Sequence, residues 1–486
     1  MLLGLDLGTT AVKAVVLDPA RGIVASDSLP NEHSSPHPGW SEQDAGAWLA
    51  NALALIPRVC AAAGIAVGDI SGLGVAGCVP CVLLLDEDDE PLRPALLYND
   101  ARAHAEIEEL AAELDRAEVL RRTGAGVTQQ SVGPKLRWLQ RHEPELWART
   151  ARVAGSYDWL AGYLADTAFS ERNWALESGL YDLDDDDYAR DLCAAAGIER
   201  GLLGPIRDPR QVIGGVSGDV AAHSGLAEGV PIVAGLADHV SSAFAAGLAE
   251  HGDLLVKLGG SVDVLACSDR PLLDERLYLD AHPSPGLWLP NGCMASGGSG
   301  VRWFQRELAA GAGLAVLDGE AAATPPGAGG IVMLPYLLGE KTPVNDPLAS
   351  GAIVGLSAAH GRGHVFRALL ESFAYGVRHH LEVLAEHGVR PQRARVTNGG
   401  ASSVLWKQIV ADVTGLVLEP VVDHPGSALG AAYAAGMGTG AFAEWSEIAS
   451  FVALGEPLEP RPEHAAAYDE RYRTYRALYG AIGSAA

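Results

Sequence analysis

Apolar and polar positions follow a strand-like pattern from the first residues onward. Leu2-Leu3-Gly4-Leu5 runs into Asp6, and Leu7-Gly8-Thr9-Thr10 then leads into a second apolar run, Ala11–Asp18. Two apolar runs separated by an acid, a glycine and two hydroxyls predict a β-hairpin with a tight polar tip. Gly22-Ile23-Val24-Ala25 predicts a third strand. The loop 37–44, with an exposed aromatic at Trp40, precedes an Ala/Leu-rich helix that should end near Ala63. Strands are expected at 70–76 and 82–85, and helical segments at 105–122 and 135–141. Three antiparallel strands followed by alternating helices and strands form the pattern of one α/β domain.

The pattern then restarts. Val230-Pro231-Ile232-Val233-Ala234-Gly235 predicts an apolar strand, and a helix should follow over 240–248. Leu254-Leu255-Val256-Lys257-Leu258-Gly259-Gly260-Ser261-Val262 repeats the opening theme of strand, glycine, hydroxyl, strand. Val396-Thr397-Asn398-Gly399-Gly400-Ala401 is a third glycine-rich segment, running from a strand into a helix over 405–414. Two α/β halves meeting near 225–250, each with a glycine tip turned to a shared cleft, make a nucleotide clamp.

Composition narrows the classes. A chain of 486 residues is too long for one core, and 48% hydrophobic content argues against disorder. A net charge of −26 argues against a nucleic-acid partner, because phosphate neutralisation needs a basic face. The acidic runs 86–90 and 184–187 read as solvated loops. A strand directly after Met1 leaves no room for a signal peptide, and no uninterrupted apolar stretch reaches bilayer length. A cytoplasmic protein without a membrane partner is expected. Six scattered cysteines suit a reducing compartment. Cys78-Val79-Pro80-Cys81 lacks the helix start of a redox dithiol and the second ligand pair of a zinc site, so two small core or pocket thiols are expected.

The opening tip suits phosphate. Its backbone N–H groups, the Thr9 and Thr10 hydroxyls and Lys13 are donors, and Asp6 at the strand end could hold a hydrated Mg²⁺. An ordinary hairpin with a permissive Gly8 is the plainer alternative. Asp238 follows a strand and a glycine, which places it where α/β folds bind ligands, although a helix N-cap would look the same.

Ordered motifs along nearly the whole chain resemble the FGGY carbohydrate kinases, of the xylulokinase-like kind. They are Asp6-Leu7-Gly8-Thr9-Thr10, Pro38-Gly39-Trp40-Ser41-Glu42-Gln43-Asp44, Tyr98-Asn99-Asp100-Ala101-Arg102, Gly235-Leu236-Ala237-Asp238-His239 and Leu258-Gly259-Gly260-Ser261. Leu334-Pro335-Tyr336 through Pro343, Asn398-Gly399-Gly400-Ala401 and Gly426-Ser427-Ala428-Leu429-Gly430 complete the set. The resemblance implies two ribonuclease-H-like domains of the actin and hexokinase superfamily flanking an ATP and sugar cleft. Residues 1–238 would form the sugar and phosphate side, and residues 239–486 the nucleotide side. It implies ATP and Mg²⁺, with Asp238 as catalytic base and Asp6 at the metal. Gly8, Thr9, Thr10 and Lys13 would form the first phosphate loop, and Gly259, Gly260 and Ser261 the second. Gly399, Gly400 and Ala401 would form the adenosine turn, with Gly300 in another nucleotide-facing stretch. Val79, Pro80, Asn99 and Asp100, with Asp238, would line the sugar site. Such relatives are often dimers, so a homodimer is the suggested assembly.

The chain also departs from that pattern. Xylulokinases carry a Met-His pair where this chain has Val79 and Pro80, which removes a side-chain donor to the sugar. D-xylulose is therefore one expectation, and another ketose, a polyol or a sugar acid is the alternative. Gly259-Gly260-Ser261 stands where Gly-Thr-Ser is common, and Trp174 lies where relatives place small polar residues, either narrowing the pocket or packing in the core. A non-catalytic sugar sensor and an actin-like ATPase are the rivals from other classes. Intact Asp6 and Asp238 disfavour the first, and the Pro-Gly-Trp and Tyr-Asn-Asp segments the second.

Overall fold

The computed structural model describes residues 1–483. Strands β1 (Leu2–Leu7) and β2 (Ala11–Asp18) form the expected hairpin, and β3 (Gly22–Pro30) adds to it antiparallel. Helix α1 (Ala45–Ala63) returns the chain to β4 (Gly72–Gly77), which pairs with β1 in parallel. Further along come α2 (Arg172–Glu177), β5 (Val212–Gly215), β6 (Pro231–Val233) and α3 (Asp238–Ala245). The first sheet runs β5-β6-β4-β1-β2-β3, with the short strand Leu236–Ala237 also beside β4.

The second half repeats this plan. Strands β7 (Leu254–Leu258) and β8 (Val262–Ala266) form an antiparallel hairpin, continued by β9 (Tyr278–Ala281) and β10 (Trp288–Met294). Helices α4 (Gly298–Glu307) and α5 (Arg362–Glu386) precede β11 (Arg393–Thr397), which pairs with β7 in parallel. Helix α6 (Val404–Thr414) and β12 (Val417–Val422) follow, giving the order β9-β10-β8-β7-β11-β12. Both hairpin tips therefore lie at the carboxyl ends of parallel strands, where open α/β sheets bind ligands.

The last helix of this plan, α7 (Ser427–Thr439), crosses back and packs on β1 and β4 of the first sheet. Glycine makes that approach possible. A Cβ on Gly4 would stand 1.9 Å from the Ala428 carbonyl oxygen, and one on Gly74 2.2 Å from that of Ala431. Leu429 and Tyr433 of α7 consequently belong to the first core, whereas a second core joins β7, β11, α5 and α6.

Three elements differ from expectation. The stretch 105–122 is two helices, His104–Glu113 and Arg116–Thr123, because Asp115 accepts from the Glu118 N–H at 2.8 Å and caps a new start. Helix α1 has the length and apolarity to cross a membrane, the only such helix among the described residues. Here its Trp48, Leu55, Ile56 and Val59 are buried in the core, with β2 and β3 against the helix. Trp40 is half-buried, with the Arg102 guanidinium 3.7 Å from its ring centroid.

Candidate active site

A cleft of about 260 Å³ opens between the halves. Thr9 and Ser261 reach it from the two hairpin tips, Val79 from the segment after β4, and Asp238 from the start of α3. Each tip is braced from behind. The Gly8 carbonyl accepts from Asn31 Nδ2 at 2.8 Å, and the Thr9 carbonyl from Gln43 Nε2 at 2.7 Å. In the second hairpin the Gly259 carbonyl accepts from the Gly298 N–H at 2.7 Å. The Gly260 carbonyl accepts from both the N–H and the hydroxyl of Ser299. No protein acceptor takes the N–H groups of Thr9, Thr10, Gly260 or Ser261 among the described residues. Braced carbonyls and unclaimed N–H groups make both tips anion cradles.

Asp6 sits beneath the first tip, opposite Lys13 across the hairpin. Its carboxylate is 4% exposed, and its Oδ1 has no hydrogen-bond partner. Burial pushes its pKa up to about 7, the neighbouring Asp238 charge adds to the rise, and Lys13 and Lys257 oppose it. An orphaned, buried carboxylate oxygen beneath the tip fits a hydrated divalent cation.

Asp238 is the first residue of α3, with Ala237 as the N-cap residue. Its Oδ1 accepts from the His239 N–H at 2.6 Å. The His239 imidazole then lies between carboxylates. Its Nδ1 is 3.5 Å from Asp238, and its Nε2 is 2.7 Å from Asp280 and 3.9 Å from Glu177. Burial alone would lower the imidazole pKa, but Asp280 and Asp238 outweigh it and hold it well above the usual value. Glu177 is pushed well above the carboxylate range by burial and by Asp280. Asn291 Nδ2 donates to Asp280 at 2.6 Å and fixes that carboxylate in turn. Glu177 ends α2 in the first half, whereas Asp280 and Asn291 lie on β9 and β10, so this polar wall spans both halves. Its convergent donors and acceptors suit a polyhydroxylated ligand.

The remaining expected residues divide. Lys13 is exposed on β2, next to Asp6. Gly399 has no atom within 4 Å of where a Cβ would stand, so packing does not demand glycine there. Gly400 is different, since its Cβ would meet Trp406 at 2.5 Å and Leu258 at 2.7 Å. Ala401 packs against the second core, and Gly300 is buried with Phe373 3.0 Å from an added Cβ. Pro80 is buried and does not line the cleft with Val79. Asn99 is exposed and outside the lining. Asp100 is buried, and its carboxylate accepts from the Ser41 N–H and from Arg102, which also pairs with Glu42. The Pro-Gly-Trp and Tyr-Asn-Asp segments thus lock each other. Trp174 is a core residue that donates to the Cys81 carbonyl at 2.8 Å. Cys78 and Cys81 are buried thiols with their sulfurs 3.2 Å apart.

Sequence reasoning missed Glu177, Asp280, Asn291, Lys257 and Lys341, all of which line the cleft. One signal was available for the lysines. The chain has only five lysines against 30 arginines, and Lys13, Lys257 and Lys341 cluster around this site.

Residues 1–245 match the model of the N-terminal domain of the FGGY family of carbohydrate kinases, and residues 254–439 match that of its C-terminal domain. The chain belongs to the FGGY family of carbohydrate kinases. It is an ATP-dependent sugar kinase, and its relatives agree along their full length. It is 31% identical to the xylulose kinase of Escherichia coli, covering 99% of this chain and 98% of that one. It is 30% identical to the L-xylulose/3-keto-L-gulonate kinase of the same bacterium, covering 99% and 97%. The crystal structure of xylulose kinase from Rhodospirillum rubrum superposes with a TM-score of 0.95 at 43% identity, covering 99% of each chain. The kinase is therefore a two-domain α/β enzyme of that architecture.

Proposed function

We propose that this kinase moves the γ-phosphoryl group of Mg-ATP onto a hydroxyl of a small sugar, a ketopentose such as D-xylulose being the first candidate. Asp238 is the general base. The observation that carries this reading is its placement: a carboxylate at the cleft, lining it with one polar tip from each half. There it can take the proton of a sugar hydroxyl as the oxygen attacks phosphorus. The transition state is loose, so positioning and charge stabilisation matter more than base strength.

Thr9, Thr10, Gly260 and Ser261 offer N–H groups to the phosphates, with Gly8, Gly259 and Lys13 beside them. Gly399, Gly400 and Ala401 lie at the carboxyl end of β11, a suitable place for the adenosine, with Gly300 behind the second tip. Asp6 is the residue that would hold Mg²⁺, and the ion would neutralise phosphate oxygens. Val79, Glu177, Asp280 and Asn291 face the sugar. Asn99 and Asp100 lie outside that wall, Asp100 holding Ser41 and Arg102 instead. The cytoplasm, where ATP is available, is the proposed compartment.

A second reading changes only the acceptor. Val79 and Pro80 stand where xylulokinases carry a Met-His pair and offer no side-chain donor, and the Glu177–Asp280–Asn291 wall supplies polar groups to the cleft. Another ketose, a polyol or a sugar acid is the acceptor in that case. ADP release from Mg-ATP, measured over a panel of pentuloses, polyols and aldonates, tests both. The expected result is one preferred sugar, with turnover about 10²- to 10⁴-fold lower in Asp238→Asn and ADP still bound. Sugar-independent ATP turnover, or an unimpaired Asp238→Asn variant, would overturn the reading.

A further inference from the structure

The two hairpins match position for position, yet their charges are exchanged. In the first, Asp6 stands two residues before the tip glycine, with Lys13 opposite. In the second, Lys257 stands two residues before Gly259, with Asp263 opposite. The second half thus presents a cation where the first presents an acid. Lys257 lines the cleft with Thr9, Asp238 and Ser261, and its field reaches the Asp6 carboxyl.

Lys257 has no partner of its own. Among the described residues it makes no ion pair or side-chain hydrogen bond. Asp263, its neighbour across the hairpin, accepts from the Ser261 hydroxyl at 3.1 Å instead. Lys13 is likewise unpaired. The charges around these two lysines are Asp6, Asp238 and Asp263, with Lys341 further along the cleft and His424 close by. Burial, helped by Lys257 and Lys13, pulls the His424 pKa down to about 4, so it adds no charge near neutrality. A half-buried ammonium without a counter-ion is poorly solvated, and it gains most from an anion that arrives with the ligand.

We propose that Lys257 is a catalytic residue that contacts the transferring phosphoryl group, supplying positive charge from the second half beside a tip that has no threonine hydroxyl. This rests on the kinase reading above, with ATP phosphates between the tips. The phosphoryl group carries its charge on its peripheral oxygens throughout transfer, so a fixed ammonium there favours the transition state. Lys257 forms no bond to phosphorus and passes no proton; it remains an ammonium on both sides of the step.

The test compares Lys257→Met, Lys257→Gln and Lys257→Arg in the full chain, first by binding and then by turnover. Calorimetric titration with Mg²⁺ and either AMP-PNP or ADP reads the γ-phosphate directly. Wild type should bind AMP-PNP more tightly than ADP, and the Met and Gln variants should lose about tenfold of that preference, Arg restoring part of it. Turnover in Met and Gln should fall about 10²- to 10³-fold, with the sugar KM nearly unchanged. Full turnover in folded Met or Gln variants would overturn the proposal. So would a loss confined to the sugar KM, greatest for carboxylate-bearing sugars, because Lys257 would then read the acceptor. Failure of the kinase reading looks different: wild type would release no ADP with any sugar, whatever the nucleotide preference.

Discussion

The imidazole of His239 lies 2.7 Å from Asp280 and 3.5 Å from Asp238. It thereby ties the carboxylate at the start of α3 to a strand of the other half. His239 does not need to touch the substrate for this to matter. It fixes the orientation of Asp238 and supplies the charge that keeps Asp280 in place.

His239→Gln should therefore lower kcat by about 10²-fold, the scale of a small misplacement of a reacting group. Asp280→Asn should weaken sugar binding as well, because Asp280 lines the cleft. Steady-state kinetics on both variants check this, and an unchanged kcat in His239→Gln would reduce His239 to a packing residue.

The Mg²⁺ requirement should depend on pH in a definite direction. The Asp6 pKa is pushed up to about 7, and a divalent cation binds only its ionised form. Below pH 7 the ionised fraction falls about tenfold per unit, so the apparent Mg²⁺ constant should rise by up to that factor between pH 7 and 6. The same shift acts on stability. The folded state holds its Asp6 proton above the unfolded pKa, so this group makes stability fall as pH rises from about 4 to 7. Mg²⁺ titrations at several pH values, and the same series in Asp6→Asn, check both signs.

Two adjacent glycines should behave differently. Gly400→Ala drives a methyl into Trp406 and Leu258 and should lower the melting temperature. Gly399→Ala meets nothing within 4 Å, so it should fold normally and raise the KM for ATP alone. Thermal melts beside ATP titrations separate them. A Gly399→Ala variant with an unchanged ATP constant would remove that glycine from the nucleotide site.

Asp100→Ala should act on stability before it acts on the sugar. It removes one of the two carboxylates on the buried Arg102, leaving Glu42, and leaves the Ser41 N–H without its acceptor; breaking a buried pair of this kind costs up to about 3–5 kcal/mol. Chemical denaturation measures the loss. Full stability with only a raised sugar KM would return Asp100 to the sugar wall.

Much of this was legible in the sequence. Both hairpins, their tips and the repeated plan follow from apolar runs broken by Gly8 and by Gly259-Gly260. Asp238 was readable from its strand and glycine. The polar wall was not, because Glu177, Asp280 and Asn291 come from three separate elements and meet only when the halves close on one another. Nor was the fate of Asp100, whose partners Ser41 and Arg102 are set by the fold of two loops. The division of the helix at 105–122 turned on Asp115, whose side chain competes with the helix it interrupts.

Helix α7 has a consequence for the order in which this chain can be assembled. The face of β1 and β4 that carries Gly4 and Gly74 is covered by residues 427–439, which leave the ribosome only after nearly all the rest of the chain. The first domain is thus started by the amino terminus and finished some four hundred residues later, so a nascent chain carries an unroofed sheet through most of its synthesis.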